Sequence, residues 1–239
     1  MDNDNIALTQ EEARVMTTMV GLSGAAVLLS DNLAVLPQER IDMMKKVMPV
    51  LTPSAQPADC SSPAQIDEKW RVPVAPQSGR HLLGLFNWTQ QPKDFAVAPS
   101  DFANIAQSSL IWEFWTEQFL GRFEQSQCVP NVPAHAVRLL ASCHDTGHPQ
   151  FLFTNHHISQ GAFSVTEETW DKDTCCLTVS LHDKAFSGDV IVAIYVGFDY
   201  NLSSVNVVSR DYWMEGPLLK IINHGLTEFN LQVEFTRAG

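Results

Sequence analysis

The stretch GLSGAAVLLSDNL, residues Gly21–Leu33, decides the interpretation of the first part of the chain. Its run Ala25–Leu29 is apolar without alternation, which is typical of a strand buried on both faces of a parallel sheet. Before it, Thr9–Glu12 (TQEE) forms the pattern of a capping box that starts a helix. After it, Pro37 suits the first turn of a second helix. Residues 1–50 are therefore predicted to form a helix, a buried strand and a helix.

A single parallel strand needs neighbouring strands, because its backbone N–H and C=O groups must find partners. We find no second helix-flanked buried strand elsewhere in the sequence. The pattern therefore predicts that residues 1–50 are the last helix-strand-helix unit of a (β/α)₈ barrel, of which the remainder is missing.

The rest of the chain has an all-β pattern. Residues 51–66 are rich in Pro, Ser and Ala and are predicted to be a linker. Short strands separated by turn residues then predict an antiparallel β-sandwich domain over residues 67–144 and a second β-rich, sandwich-like domain over residues 149–239. The two regions form either a tandem pair or one larger sandwich. The predicted strands are Trp70–Val74, Arg80–Thr89, Phe95–Ala98, Leu110–Trp115, Gln118–Phe123, Ala136–Ala141, Gln150–Thr154, Gly161–Thr169, Thr174–Leu181, Val190–Val196, Ser204–Ser209 and Phe229–Phe235. The predicted fold class is thus mainly β, with antiparallel sandwich regions preceded by a helix-strand-helix remnant of a barrel.

Composition and charge exclude several classes of protein. The 239 residues include 27 acidic and 15 basic side chains, a formal charge of −12, which argues against nucleic-acid binding and against attraction to anionic lipid. No apolar run approaches the roughly 18–20 residues that cross a bilayer, and the N-terminus is acidic where a secretory signal would be basic. The five cysteines form no C-x-x-C motif, which favours reduced thiols and a cytoplasmic chain. We predict no cofactor.

Some histidines and carboxylates could in principle form a functional site. His156 and His157 are adjacent, and because neighbouring side chains on a strand point apart, a structural turn is favoured over a metal site. Asp183, Asp189 and Asp199 have no motif around them, so solvated turns are favoured over an acid/base pair. We therefore predict no metal-binding residues.

Several stretches, in the same order, resemble the C-terminal part of bacterial α-galactosidase-like glycoside hydrolases, the α-galactosidase clan. The resemblance extends over residues 10–165 and fades beyond. The stretches that carry it are Gly21–Leu33, Leu36–Arg40 (LPQER), Leu83–Thr89 (LGLFNWT), Phe114–Trp115 with Phe119–Gly121, Val132–Leu140 (VPAHAVRLL), and His148–Gln150 with His156–Gly161.

The resemblance implies a catalytic (β/α)₈ barrel followed by a β-sandwich, and retaining hydrolysis of α-glycosidic bonds by two carboxylates. By the order of the matching stretches, this chain begins near the seventh barrel helix. Both catalytic aspartates are then expected upstream of Met1. We accordingly predict no catalytic residue within the chain and no hydrolase activity of the chain alone.

Three residues are candidates for sugar binding. Asp31 follows the predicted strand, at the end where barrel active sites lie, and either lines a sugar pocket or caps the following loop or helix. Trp170 and Trp213 lie near predicted loops, where an indole face could stack on a sugar. Trp88 and Trp115 fall within predicted strands and are expected in the core.

The leading interpretation is a C-terminal fragment of an α-galactosidase-like glycoside hydrolase, in which the β-sandwich supports a barrel. The alternative is a stand-alone carbohydrate-binding or structural β-sandwich protein. Expected partners are an α-galactoside or related glycan and either an upstream barrel chain or further copies of this chain, with no nucleic acid or membrane.

Overall fold

A computed structural model describes residues 7–58, 66–75, 79–102, 108–185, 188–209 and 211–238. The chain divides into two compact units, Met1–Cys143 (unit 1) and His144–Gly239 (unit 2). The acidic N-terminal residues 1–5 and Cys60 lie outside the described residues.

Both predicted helices are present. Helix α1 spans Gln10–Ser23, and its capping box is complete: the Glu12 N–H donates to Thr9 Oγ1 (3.3 Å), and the Thr9 N–H donates to Glu12 Oε2 (2.8 Å). Gly24 ends α1 in the left-handed conformation, with φ +65°. Helix α2 spans Gln38–Lys45, directly after Pro37. The two helices fit the predicted remnant of a barrel.

The strand predicted over Ala25–Leu29 is not formed. Residues 24–30 have no regular secondary structure, and Leu28 is 92% exposed. A strand of a parallel sheet requires partner strands on its edges, and no described strand pairs with this run. Without such partners, an apolar composition alone does not produce a strand.

Unit 1 contains a six-stranded sheet in the order β1-β2-β3-β8-β5-β6, and a two-stranded sheet in which β4 pairs with β7. The pairs β1–β2, β2–β3, β3–β8, β5–β6 and β4–β7 are antiparallel. A 3₁₀ turn over Pro99–Phe102 follows β4. The strands are β1 (Gln56–Pro57), β2 (Lys69–Ala75), β3 (Arg80–Phe86), β4 (Lys93–Val97), β5 (Ser109–Glu113), β6 (Gln118–Phe123), β7 (Gln127–Val132) and β8 (Val137–His144).

The six-stranded sheet is covered on both faces. On one face, side chains of β3, β5, β6 and β8 share a buried apolar cluster with those of β4 and β7. On the other face, the Trp115 indole N–H donates to Thr18 Oγ1 of α1 at 2.9 Å. Gly84 allows Leu22 of α1 to come close, because a Cβ at position 84 would lie 3.1 Å from Leu22 Cδ1. Strand β3 is consequently buried along its whole length.

The first part of the predicted linker is packed into unit 1. Leu51 is buried and its N–H donates to the Gly21 carbonyl (3.1 Å). The Ala55 N–H donates to the Leu22 carbonyl (2.8 Å), which satisfies a second carbonyl at the end of α1. Residues 59–65 of the predicted linker lie outside the described residues.

Unit 2 is a sandwich of two four-stranded sheets, in the orders β10-β11-β16-β13 and β14-β15-β12-β9. Alternate side chains of both sheets meet in one buried cluster that includes Phe151, Val192, Leu219 and Val233. The strands are β9 (Gln150–Thr154), β10 (Val165–Asp171), β11 (Cys176–His182), β12 (Asp189–Tyr195), β13 (Tyr200–Val207), β14 (Tyr212–Glu215), β15 (Leu218–His224) and β16 (Glu228–Arg237).

Candidate functional site

Asp31 lies in the exposed segment that joins α1 to α2. The strand that was predicted to present Asp31 at its carboxyl end is not formed, so the structural argument for a barrel-type position is lost. A turn follows, in which the Asn32 side-chain oxygen accepts from the Ala34 N–H (3.2 Å) and the Asn32 carbonyl accepts from the Val35 N–H (3.0 Å). Sugar binding by Asp31 stays a prediction.

Trp170 belongs to an aromatic cluster at the end of β10. Its ring stacks on His148, with 5.1 Å between centroids and 5° between planes. Tyr200 meets the Trp170 ring edge-on at 5.5 Å, and Phe235 lies 6.0 Å away. At least one indole face is therefore occupied by a side chain of the protein, and the contacts of Trp170 are those of a residue at the edge of the core.

Trp213 has a different environment. It lies on β14, an edge strand of its sheet, and is 38% exposed. It pairs directly with Lys220 on β15, so the two side chains project from the same face of the sheet. Glu215, two residues further along β14, is on that face as well.

The Glu215 carboxylate is held by Lys220. Lys220 Nζ donates to Glu215 Oε2 at 2.8 Å; the lysine side chain is 6% exposed and the glutamate side chain 57%. This hydrogen bond from Lys220 is the main reason why the pKa of Glu215 lies below its usual range, and the Trp213 indole makes a smaller contribution in the same direction. Burial of Glu215 acts in the opposite direction, with a larger effect on the pKa than the Trp213 indole.

A histidine bridges two carboxylates at one end of the same sheet. His224 Nδ1 lies 2.7 Å from Asp189 Oδ1, and His224 Nε2 lies 2.9 Å from Asp211 Oδ2. Both ring nitrogens can donate only when the imidazole is protonated. The two hydrogen bonds, that to Asp189 first, raise the pKa of His224. We name this arrangement the His224 clasp.

The segment that contains His156 and His157 is a turn, as predicted. His157 Nδ1 lies 2.9 Å from Ser159 Oγ and accepts from the Ser159 N–H at 3.1 Å. The loop closes where the Thr154 N–H donates to the Gln160 carbonyl (3.2 Å). Within the part of the chain that the structure describes, no group of three or more His, Cys, Asp or Glu side chains is arranged to hold a metal ion.

Glu113 is a buried carboxylate with a structural role. Its oxygens accept hydrogen bonds from the N–H groups of Trp115, Thr116 and Leu139, and from the Thr116 hydroxyl. These donors close the turn between β5 and β6 and join it to β8. The carboxylate is therefore engaged with the backbone.

The candidate residues are distributed over both units. Asp31 belongs to unit 1, while Trp170 and Trp213 lie on different sheets of unit 2. Sequence analysis missed Glu215 and Lys220 as neighbours of Trp213, because their proximity depends on the pairing of β14 with β15. It also missed the His224 clasp, whose three residues come from three separate positions along unit 2. No described helix has both the length and the apolar composition that a bilayer crossing demands.

Comparison with known proteins yields similarities among solved structures only. No protein-family model matches the chain, and no curated protein matches it. The chain is similar to α-galactosidase I from Mortierella vinacea, with 19% identity over 59% of this chain and a TM-score of 0.49. It is similar to a β-L-arabinopyranosidase variant from Geobacillus stearothermophilus in complex with arabinose, with 13% identity over 59% of this chain and a TM-score of 0.49.

A third similar structure is the isomalto-dextranase of Arthrobacter globiformis in complex with panose. The match has 12% identity over 97% of this chain and a TM-score of 0.43. The match covers 37% of the α-galactosidase, 32% of the arabinopyranosidase and 46% of the isomalto-dextranase, so this chain spans less than half the length of each enzyme.

Proposed function

We propose that this chain is the C-terminal portion of an α-galactosidase-like glycoside hydrolase. In this proposal, further polypeptide supplies the remaining barrel strands and both catalytic carboxylates. The α1–α2 segment completes the barrel, and the β-sheets brace it. The chain by itself does not hydrolyse glycosides.

The exposed apolar segment between α1 and α2 is the observation that carries the proposal. Leu28 is 92% exposed within a run whose sequence is typical of a buried strand. Large exposed apolar patches mark surfaces that bind other protein. Seven exposed large apolar residues fall within residues 7–50: Leu8, Met16, Leu28, Leu29, Leu33, Val35 and Met48. Partner strands from a barrel would cover such a run and supply its missing backbone hydrogen bonds.

The attachment of α1 to the six-stranded sheet supports a bracing role. The Trp115–Thr18 hydrogen bond and the approach of Leu22 to Gly84 fix α1 on one side. The segment that follows α1 is open to solvent. Helix α1 is thus held by the six-stranded sheet of unit 1 on one side, and the segment after it offers apolar surface, as expected of a connection between a barrel and its supporting sheets.

Hydrolysis of 4-nitrophenyl α-D-galactopyranoside tests the catalytic part of the proposal. The purified 239-residue chain should release no 4-nitrophenol above a blank. Hydrolysis above the blank would show that this chain carries its own catalytic carboxylates and would overturn the proposal.

The structural part of the proposal has two further tests. The nucleotide sequence upstream of the Met1 codon should encode a barrel, and the absence of a barrel there would favour an independent protein.

The purified chain should self-associate through its exposed apolar segment, as measured by light scattering, and Leu28→Asp should reduce that association. Phe198→Asp, at an exposed aromatic residue of unit 2, is the matched control and should leave the association unchanged. A monodisperse wild-type monomer would count against an uncovered barrel surface.

A further inference from the structure

The face of β14 that carries Trp213 combines an apolar plane with a fixed carboxylate. The indole is partly exposed on an edge strand. Glu215 lies on the same face and keeps most of its surface in solvent, while its Oε2 is held by Lys220 at 2.8 Å. A side chain that is fixed before a ligand arrives loses little conformational freedom on binding. This face is therefore pre-organised.

The charges on this face favour a neutral ligand. Glu215 and Lys220 form an ion pair, so together they add no net charge. The surrounding unit 2 is acidic, with 12 Asp and Glu residues against five Lys and Arg residues. An anionic ligand would be repelled by this field. A ligand that suits the face has an apolar surface for the indole and hydroxyl groups that can donate to the Glu215 carboxylate, whose side chain is 57% exposed.

We propose that Trp213, Glu215 and Lys220 form a binding site for a neutral saccharide. One face of a pyranose ring, which carries several C–H groups, stacks on the Trp213 indole. A ring hydroxyl donates a hydrogen bond to Glu215, and Lys220 keeps that carboxylate in place. The choice of a saccharide as the ligand rests on the proposed function. The positions of Trp213, Glu215 and Lys220 do not depend on that proposal.

Two other occupants of β14 are distinguishable from a saccharide. As an edge strand, β14 could pair with an extended peptide or with the same strand of a second copy. Such pairing would use the backbone of β14 and both of its faces, including Tyr212, which pairs with Ile221 and therefore projects from the opposite face. A saccharide on the Trp213 face would not need Tyr212.

Nuclear magnetic resonance of the indole N–H groups provides the test. The chain has six tryptophans, and Trp213→Phe identifies the Trp213 signal in the ¹⁵N-labelled full-length chain. Methyl α-D-galactopyranoside and maltotriose are the probes. We expect a saturable shift of the Trp213 signal with at least one of them. Methyl α-D-galactopyranosiduronate, in which a carboxylate replaces the C6 hydroxymethyl group, should bind more weakly than the neutral galactoside.

Substitutions assign the site. Trp213→Ala should weaken binding at least about tenfold, since truncating a stacked aromatic side chain removes most of its contact area. Glu215→Gln should weaken binding by a smaller factor, and Tyr212→Ala is the matched control that should leave binding unchanged. Circular dichroism of each variant confirms that it folds.

Three results would overturn the inference: the absence of a saturable shift with either probe, an equal loss of binding in Tyr212→Ala, or Trp213 shifts that follow protein concentration instead of sugar. The measurement needs no barrel partner. A Trp213-dependent shift would therefore support this site even if the barrel proposal failed, and its absence would leave the barrel proposal in place.

Discussion

Two apolar runs of the chain have similar compositions and different structures. Val190–Val196 (VIVAIYV) contains most of strand β12, which is buried between β9 and β15. Ala25–Leu29 (AAVLL) forms no strand and exposes most of Leu28. Strand β12 has pairing partners on both edges, whereas no described strand pairs with the other run. An apolar run thus becomes a buried strand only where its backbone groups find partners.

The largest loss of stability is expected from shortening a buried side chain of β12. Ile194 is completely buried in the core of unit 2, and Ile194→Ala should lower the free energy of unfolding by about 2–5 kcal/mol, because the cavity left behind cannot fully close. Urea unfolding measures this loss. A loss below about 1 kcal/mol would mean that β12 is not the central packed strand described here.

A smaller loss of stability is expected from a substitution at Gly24, directly before the exposed run Ala25–Leu29. Gly24 has φ +65°, and a Cβ there would lie 2.8 Å from the Leu51 carbonyl oxygen. Gly24→Ala should therefore cost about 1–3 kcal/mol, from backbone strain and from this contact. The control is Gly216→Ala, with φ +56° and no atom within 4 Å of the added Cβ, which should cost only the backbone strain. Equal losses, measured by urea unfolding, would show that the Leu51 contact does not matter.

The His224 clasp gives the end of β12 a dependence on pH. Asp189, the first residue of β12, is held by His224, whose pKa is raised above its ordinary value of about 6.5. Because the folded-state pKa is the higher one, the stabilisation is fully present below pH 6.5 and is lost as pH rises through the folded-state pKa. Since the clasp is exposed, the effect should be local and modest.

Hydrogen exchange of the β12 amides can detect this effect. Protection at Asp189 and Val190, corrected for intrinsic exchange, should fall as pH rises through the pKa of His224. The His224→Gln variant should show no such pH dependence. An identical pH dependence in the variant would assign the effect to another group.

The smallest effect is expected in the exposed run itself. Leu28→Ala should change the free energy of unfolding by less than about 0.5 kcal/mol, because its side chain is already in water. Urea unfolding at low protein concentration, where self-association is weak, tests this prediction. A loss of more than about 1 kcal/mol would show that Leu28 is buried in solution, and would make the two runs alike.

Local sequence signals predicted much of the fold. The capping box at Thr9 marks the start of α1, and the strands Gln118–Phe123 and Gln150–Thr154 have the predicted bounds. The turn that follows Trp170 is likewise held by near neighbours: Asp171 Oδ1 accepts from the Asp173 N–H (2.9 Å) and the Thr174 N–H (3.3 Å). These features depend on neighbours within a few residues.

Features that depend on distant partners were not predicted. Strand β15 was missed because Lys220 and Asn223 interrupt its apolar pattern, and both are buried only through tertiary contacts. Strand β7 was missed because Pro130 lies within it, and proline is uncommon in strands away from edges. The strand predicted over residues 25–29 was wrong for the converse reason, since its pattern was local and its partners were not there.

The residues of the candidate site also divide into those that local sequence signals identify and those that depend on distant partners. Trp213 was identified from its residue type and its place near a loop. Glu215 and Lys220 were not, because the β14–β15 register that joins them cannot be deduced from the sequence. Trp170 was identified by the same reasoning as Trp213, and its stacking on His148 could not be anticipated from residues 22 positions apart.

The attachment of α1 bears on how such a chain can be inherited. The end of α1 is bound by residues 51–55, and Thr18 by Trp115, almost a hundred residues away in sequence. A genetic exchange between codons 58 and 66 would keep residues 51–55 with α1, but it would separate Thr18 from Trp115 and Leu22 from Gly84, and it would leave a buried face of the six-stranded sheet uncovered. An exchange upstream of Thr9 would leave them intact. Recombination that replaces a barrel would therefore be expected to retain α1 and α2 with the six-stranded sheet, so that the two helices are inherited together with unit 1.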